Sequence, residues 1–261
     1  MGAKAIDPQS IRNVTLLGDP ADTARVAHHL LRGSGTPTSS PATTLHWATD
    51  GVEHTIRLAE LSTQAPVAAL QRAIRVADGV IAVVDAATNL APRLETMLRV
   101  ADDHQVARLC LITGLDHPDT DFDRCIRTIA DTRGAVPLPL QLPIGTGTDF
   151  EGVIDLISIW ALAPLAAEIY GPHWQLAEQQ YRTLVATVIE PNADPNALGL
   201  QQFPLEHLHH RIRHLTRIGD IAPILCSPPP AINDPTPLLD AITRYLPSPL
   251  TVCQPEHALD Y

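Results

Sequence analysis

The segment that decides the fold is IRNVTLLGDPADTAR, residues 11–25. Its apolar run at residues 14–17 predicts a buried strand that ends at Gly18. The pair Asp19-Pro20 predicts a tight turn, and the apolar spacing of residues 27–31 predicts a helix directly after that turn. Strand, turn and helix in this order are typical of the place where a phosphate-binding loop lies.

A working loop of that kind has the pattern G-x-x-x-x-G-K-[ST]. Its glycines let backbone N–H groups close on the phosphates, its lysine reaches the terminal phosphates, and its hydroxyl holds magnesium. Counted from Gly18, the second glycine falls on Thr23, the lysine on Ala24 and the hydroxyl on Arg25. The sequence therefore predicts a loop that is present in outline but lacks the groups that bind phosphate.

Length and composition indicate a folded protein with one large core or two smaller ones. The 261 residues are 45% hydrophobic, with a mean hydropathy of +0.04. No apolar run approaches the roughly 20 residues of a membrane helix, and the N-terminus lacks a signal peptide's apolar segment. The four scattered cysteines form no C-x-x-C pair, so we expect reduced thiols in a cytoplasmic protein. A net charge of −11 opposes binding to DNA or broad RNA contact and favours a protein partner.

Beyond residue 33 the chain alternates between strand and helix patterns. The strands predicted at residues 43–47 and 54–58 are joined by the turn Asp50-Gly51, which is typical of an antiparallel hairpin. Further alternating elements are helices at 67–76, from 92 and at 122–130, and buried strands at 79–84 and 108–112. This order predicts an α/β fold with a doubly wound, mostly parallel sheet.

The alternation stops between about residue 160 and residue 217. Just before it, residues 141–145 and 152–156 predict a small strand–turn–strand excursion. Two helical stretches, at 174–189 and 205–218, flank a loop rich in Pro and Asn and predict a small helical insertion. A last strand and helix, at 221–226 and 235–245, complete the sheet. We therefore expect a core at 1–157, an inserted helical subdomain at 158–218, the completion of the core at 219–250 and a flexible tail at 251–261.

Several distinctive strings lie along the chain in a fixed order. They are IRN at 11–13, TT at 43–44 with Trp47, RVADGVIAVVD at 75–85, RTI at 127–129, QLPIG at 141–145, FEGVID at 150–155, LDA at 239–241 and YLPSPL at 245–250. They resemble the G domain of the translational GTPases, closest to bacterial elongation factor G with its G-domain insertion. The resemblance implies a P-loop NTPase-like fold, GTP binding, and a partner such as the ribosome or a ribosomal or translation protein.

The nucleotide-binding motifs that the resemblance implies have different residues here. The family's A-H-x-D-A-G-K-T loop corresponds to residues 18–25, its D-T-P-G-H motif falls near 59–63, and its first switch segment falls on 33–41. The S-A-x motif falls near Pro228-Pro229, and of the guanine-reading N-K-x-D at 113–116 only the aspartate remains. The implied nucleotide cleft is thus vestigial and consists of Gly18, Asp19, Thr23, Ala24, Arg25 and Asp116.

These losses are large compared with the free energy of nucleotide binding. Hydrogen bonds to charged groups contribute about 1.5–3 kcal/mol each, so losing four removes about 6 kcal/mol or more. Micromolar affinity corresponds to about 8 kcal/mol. We therefore expect a pseudo-GTPase that acts as an interaction module, with no catalytic residue, no metal ion, and no cofactor other than weak GTP or GDP. The alternatives are a GTP-binding protein or GTPase with atypical motifs, and a vestigial structural paralogue.

Some polar residues have both a functional and an ordinary interpretation. Asp116 could hydrogen-bond a guanine base, or it could form part of a turn or cap a helix. Asp19 and Asp22 could bind a cation, or they could form a turn and an N-cap at the start of the helix. Arg25, which stands where the family's magnesium ligand falls, is a candidate for binding an anion at the helix N-terminus. Three histidines of the helix at 205–218 have near metal-ligand spacing, but no H-E-x-x-H pattern accompanies them and we expect a solvated face. They are His207, His210 and His214.

Overall fold

The computed structural model describes residues 7–33, 43–88, 92–132, 134–158, 168–189, 204–229, 232 and 234–252. The strands are β1 (Ile11–Gly18), β2 (Thr43–Thr49), β3 (Val52–Ser62), β4 (Gly79–Asp85), β5 (Ala107–Thr113), β6 (Val136–Pro139), β7 (Gln141–Ile144), β8 (Gly152–Asp155) and β9 (Ile221–Cys226). The main helices are α1 (Pro20–Gly33), α2 (Val67–Val76), α3 (Pro92–Asp103), α4 (Phe122–Asp131), α5 (Trp174–Ile189), α6 (Leu205–Ile218) and α7 (Thr236–Tyr245).

Seven of the strands form one sheet in the order β2-β3-β1-β4-β5-β9-β6, and only β2 runs antiparallel to its neighbour. The central strands β5 and β9 are buried at every residue. Strands covered by helices on both faces have this continuous apolar character. The predicted α/β fold with a mostly parallel sheet is therefore confirmed.

The hairpin of β2 and β3 forms through the predicted turn. Asp50 has a φ of 53° and Gly51 a φ of 77°. Two successive residues with positive φ are the requirement of a type I′ turn, whose twist matches that of the flanking strands. The hairpin register pairs Thr49 with Val52, directly beside the turn.

Strand β6 was not predicted, because its sequence contains Pro137 and Pro139. Proline has no N–H to donate and is tolerated on edge strands. Strand β6 is an edge strand of the sheet and pairs only with β9. The predicted excursion from the sheet is confirmed, because β7 and β8 form a separate two-stranded antiparallel ribbon.

The helices α5 and α6 have the bounds that the apolar pattern predicts. Helix α6 packs against β5, β9 and α7, and its buried Leu208 and Ile212 belong to the same hydrophobic core as the sheet. Leu184 and Val185 of α5 belong to that core as well. The division at residues 158 and 218 stays a prediction.

Several predicted segments lie outside the described residues. They are the switch segment from residue 34 onward, the loop between α5 and α6, and the tail from residue 253. Within the ranges that are described, no helix is long and apolar enough to cross a membrane. Cys110, Cys125 and Cys226, which do lie in those ranges, are buried free thiols, as predicted.

Candidate functional site

A cleft of about 700 Å³ opens at the carboxyl ends of the parallel strands. It lies between α1, the loop after β5, the segment after β9 and the β7–β8 ribbon. This edge of an open α/β sheet is where such folds bind ligands. Much of its wall is apolar and includes Leu111, Ile144, Phe150, Val153 and Leu225, while polar groups come mainly from α1 and from residues 116–117.

Helix α1 begins at Pro20, two residues after the last residue of β1. The backbone N–H groups of Asp22 and Thr23 both donate to the carbonyl oxygen of Asp19, at 3.1 Å and 2.9 Å. Residues 20–25 therefore form the first turns of the helix. The predicted order of strand, turn and helix is confirmed, and the segment from residue 20 onward is helix rather than an open loop.

Asp19 also caps this helix with its side chain. The N–H group of Ala21 donates to Oδ1 of Asp19 at 2.9 Å, and Pro20 has no N–H to donate. An N-terminal helix end offers free N–H groups and a positive dipole end to an anion. Here the Asp19 residue accepts all the N–H groups of residues 21–23, and its own carboxylate supplies the negative charge.

Thr23, at the position of the family's second glycine, is 1% exposed. Its hydroxyl donates to the carbonyl oxygen of Asp19 at 3.1 Å. The next residue, Ala24, is exposed and carries no polar group. Neither residue offers a donor to a phosphate at this place.

Arg25 pairs with Asp22, with 3.1 Å between Nη1 and Oδ1. The arginine side chain is 69% exposed and the aspartate side chain 13%. Burial raises the pKa of Asp22, and the negative charges of Asp85 and Asp19 raise it further, whereas Arg25 lowers it. The guanidinium of Arg25, a candidate for binding an anion, is thus in contact with a carboxylate of its own helix.

Gly18 lies at the end of β1, against β4. A Cβ atom on this residue would lie 3.1 Å from the carbonyl oxygen of Val83 and 3.2 Å from its Cβ atom. The carbonyl oxygen of Gly18 accepts a hydrogen bond from the N–H of Thr63 at 3.0 Å. The structure thus brings residue 18 beside the segment 59–63, where the resemblance places the D-T-P-G-H motif.

Asp116 lies exposed in the turn after β5 and lines the cleft. It does not cap α4, whose N-cap is Asp121, with Oδ1 accepting from the N–H of Arg124 at 2.8 Å. At Gly114, where the family has lysine, φ is +69° and a Cβ atom would lie 2.3 Å from Oδ1 of Asp85. A longer side chain at residue 114 is therefore incompatible with this turn.

The segment after β9 offers few donors to the cleft. The N–H of Ser227 already donates to the carbonyl oxygen of Ile112 at 2.7 Å. Pro228 and Pro229, which line the cleft, have no N–H group. Of the predicted site residues, Asp116, Asp22 and Arg25 line the cleft, whereas Gly18, Asp19, Thr23 and Ala24 do not.

Comparison with known proteins identifies the family. The model of the elongation factor Tu GTP binding domain matches residues 67–248. This chain belongs to that family. The match begins at α2, so it leaves out both residues 18–25 and residues 59–63.

The G domain also resembles a solved structure in its fold. The crystal structure of ttk003000868 from Thermus thermophilus superimposes with a TM-score of 0.67 at 18% identity. The match covers 92% of this chain and 41% of that one, so this chain spans less than half of that protein. At this identity the likeness shows the fold alone.

Gln141 lines the cleft of the G domain, and no contact of its side chain was predicted from the sequence. It is 2% exposed, and its Oε1 accepts a hydrogen bond from the N–H of Cys226 at 3.0 Å. The bond ties β7 to the end of β9. A glutamine beside apolar residues in the string QLPIG indicates a buried amide. A buried amide needs a hydrogen-bond partner, so such a contact could have been expected.

The histidines of α6 do not all lie on one solvated face. His209 is half-buried, and its Nδ1 lies 2.8 Å from the hydroxyl oxygen of Tyr245 in α7. The other side of this mixed face is solvated as expected, with His207 and His210 exposed, whereas His209 is covered because α6 packs on α7. Among the residues that the structure describes, no group of three or more His, Cys, Asp or Glu side chains is arranged to hold a metal ion.

Proposed function

We propose that this G domain is a pseudo-GTPase, similar to that of bacterial elongation factor G, which docks on a translation partner without GTP as a switch. The observation that carries the proposal is the start of α1 at Pro20, with Asp19 accepting the N–H groups of residues 21–23. A γ- or β-phosphate at this place would meet a carboxylate, and the N–H groups of residues 21–23 already have an acceptor. At about 4 Å, two like charges repel by about 4 kcal/mol at an effective dielectric constant of 20.

The chemistry of GTP hydrolysis supports the same proposal. Phosphoryl transfer depends on positioning and on neutralising the charge of the phosphates, through lysine, magnesium and a group that orients water. Ala24 and Arg25 stand where the family has its lysine and its magnesium-binding hydroxyl. Residues 59–63 contain no glycine or histidine to orient the water. We therefore assign no catalytic residue and no metal ion to this domain.

The proposed partner is a protein of the translation machinery in the cytoplasm. Family membership favours the ribosome as the place of binding, and the formal charge of −11 opposes extensive contact with ribosomal RNA. A ribosomal protein, including a stalk protein, or another translation protein fits this charge better. The proposed docking uses the retained surface of the G domain, and helices α5 and α6 of the insertion predicted at residues 158–218 share the hydrophobic core of the sheet.

A second candidate function is supported by the cleft itself. Its volume of about 700 Å³ and the presence of Asp116 leave room for a base at the end where the family reads guanine. In that case the protein binds GTP through the base with atypical residues and acts as a GTP-binding protein or GTPase. If the protein is a GTP-binding protein, the phosphates of GTP should increase its affinity for the nucleotide; if it is a pseudo-GTPase, they should not.

The docking proposal is tested by co-sedimentation of the purified protein with ribosomes. We expect binding that is equal without nucleotide, with GTP and with GDP. Ribosomes stripped of their stalk proteins serve as the second arm and separate a stalk partner from other ribosomal proteins. Binding that requires GTP would contradict the pseudo-GTPase and support the second function, and no binding to either ribosome preparation would contradict the ribosomal partner.

A further inference from the structure

A second cavity, of about 250 Å³, lies at the opposite end of β1 from the cleft. Arg12, near the start of β1, forms part of its wall, together with α6 and the turn after α7. Gly18 ends the same strand, about 20 Å away at roughly 3.3 Å per residue. The cavity is therefore separate from the nucleotide cleft, and a ligand bound in it is independent of the proposed function.

The wall of this cavity is basic in a protein that is acidic. It contains three arginines and two histidines, and none of its lining residues is Asp or Glu. The basic residues are Arg12, Arg213, Arg217, His210 and His214. The positive charge is thus concentrated in one small volume, although the whole chain carries −11.

Arg12 is 3% exposed and has only neutral hydrogen-bond acceptors. Its Nη1 donates to the carbonyl oxygens of Gln9 and Ile11, both at 2.7 Å, and its Nη2 donates to that of Thr243 at 3.0 Å. Its Nε has no partner among the described residues. Burial and the charge of Arg213 lower the pKa of Arg12 to about 10, and the negative charge of Asp78, which lies beyond ion-pair distance, opposes this shift.

The two arginines of α6 have no carboxylate partner either. Nη2 of Arg213 donates to the same Thr243 carbonyl oxygen at 2.7 Å. Nη2 of Arg217 lies 3.5 Å from Nδ1 of His214, and the buried Nε of Arg217 has no partner in the described ranges. Within those ranges, no ion pair within 4.0 Å neutralises Arg12, Arg213 or Arg217.

Arg12 is buried, Arg217 is half-buried and Arg213 is exposed at the mouth of the cavity. A buried cation with no carboxylate in contact is costly, and buried charges in proteins are usually paired. We propose that this cavity is a binding site for a small oxyanion of the phosphate class. Arginine is suited to this ligand because its planar fork donates two hydrogen bonds to phosphate oxygens. The turn after α7 adds hydroxyl groups to the wall through Ser248 and Thr251.

The volume of the cavity and the net charge of the protein indicate which phosphate compounds can bind. A volume of about 250 Å³ accommodates inorganic phosphate or pyrophosphate, but only a single group of a nucleic-acid backbone. The net charge of −11 repels a long polyanion. The ligand is therefore a free small anion or the phosphoryl group of a small metabolite.

The test is isothermal titration of the protein with inorganic phosphate and with pyrophosphate, at constant ionic strength set by chloride. We expect saturable binding, weakened about tenfold or more by Arg217→Gln, which corresponds to about 1.4 kcal/mol. Arg213→Gln and His214→Gln provide independent variants at the same wall. Arg99→Gln is the control, because Arg99 lies on α3 and pairs with Glu95 outside the cavity.

Thermal unfolding without phosphate shows whether each variant folds. Equal binding by the wild type and the folded Arg217→Gln and Arg213→Gln variants would overturn the proposal. Absence of saturable binding of both anions to the wild type at millimolar concentration would overturn it as well. Weakened binding in the Arg99→Gln control to the same extent would show a general charge effect and would also contradict a site.

Discussion

At the scale of single residues, Asp19 distinguishes this cleft from a phosphate-binding loop. Its backbone carbonyl and side chain accept the N–H groups of residues 21–23, and its carboxylate lies at the positive end of α1. In a phosphate-binding loop those donors face the ligand. Asp19 therefore occupies the N–H donors that would otherwise bind a nucleotide phosphate, and its carboxylate supplies the negative charge at the helix N-terminus.

The first prediction concerns the stability that this cap provides. We expect Asp19→Ala to lower the free energy of unfolding by about 1 kcal/mol, because the N–H of Ala21 loses its acceptor. The measurement is equilibrium unfolding in urea. Asp19→Asn is the matched control, since asparagine keeps the acceptor oxygen and caps helices equally well. Equal losses in both variants would contradict a capping role.

The second prediction concerns pH and two histidines. Burial lowers the pKa of His54 from its ordinary value of 6.5, and the charge of Arg12 lowers it further. Burial likewise lowers the pKa of His209, and Arg244 lowers it further. As the pH falls below 6.5, the unfolded chain binds protons before the folded protein does. The protein therefore loses stability with acidification, by at most about 1.4 kcal/mol per pH unit for each histidine.

The measurement is the unfolding midpoint in urea between pH 7.5 and 5.5. We expect His54→Gln to have a shallower loss of stability than the wild type, since one of the two titrating groups is removed. His46→Gln, on the exposed side of β2, is the control and should keep the slope of the wild type. An unchanged slope in His54→Gln would contradict the assignment.

At the scale of elements, one carboxylate of the last helix accepts two hydrogen bonds from strand β2 of the hairpin. Oδ1 of Asp240 in α7 accepts from Nε1 of Trp47 and from the hydroxyl of Thr49 in β2, both at 2.8 Å. Oδ2 of Asp240 lies 3.3 Å from Nη1 of Arg244. The strings at 43–47 and 239–241, which are distant in sequence, are thus in direct contact.

The third prediction follows from these bonds. We expect Asp240→Ala to lower the free energy of unfolding by about 2 kcal/mol, because two donors of β2 lose a charged acceptor. The control is Asp50→Asn, which removes the exposed partner of Arg244 and keeps the positive φ that asparagine tolerates. That change should cost less than about 1 kcal/mol, as exposed ion pairs do. Equal effects in chemical denaturation would contradict the link.

Strands with a continuous run of buried apolar residues were predicted from the sequence. Strand β6 was not, because its prolines interrupt the apolar pattern. The continuous apolar runs of β4, β5 and β9 follow directly from burial on both faces. Strand β6 was missed because an edge strand tolerates Pro137 and Pro139. The start of α1 directly after the turn follows from Asp19 and Pro20, which are typical N-cap and first-helix residues.

The residue types at the candidate site could be read from the sequence, but the contacts between those residues could not. The absence of lysine at Ala24 is visible in the sequence, whereas the bond between Gln141 and Cys226 needs the chain to bring distant residues together. The same holds for the basic cavity, since Arg12 and Arg217 line one cavity only when α6 packs on β5, β9 and α7. Contacts between residues far apart in sequence carry no local period, so pattern reasoning does not find them.

At the scale of the whole molecule, the chain keeps the sheet of a G domain and changes the edge where the nucleotide would bind. The family match covers residues 67–248, and the altered phosphate-binding segment lies before it. The cleft of about 700 Å³ remains open at the end where the family reads guanine. The proposed pseudo-GTPase would accommodate a base, but not the phosphates of GTP, at this edge.

The most direct measurement is a calorimetric titration of the purified protein with GTP, GDP and guanosine, each with and without magnesium. We expect any binding to be millimolar or weaker, to be equal for the three ligands within about tenfold, and to be unaffected by magnesium. The variant Asp116→Ala shows whether residual binding uses the base-reading carboxylate. Micromolar binding of GTP that exceeds that of guanosine and depends on magnesium would contradict the pseudo-GTPase.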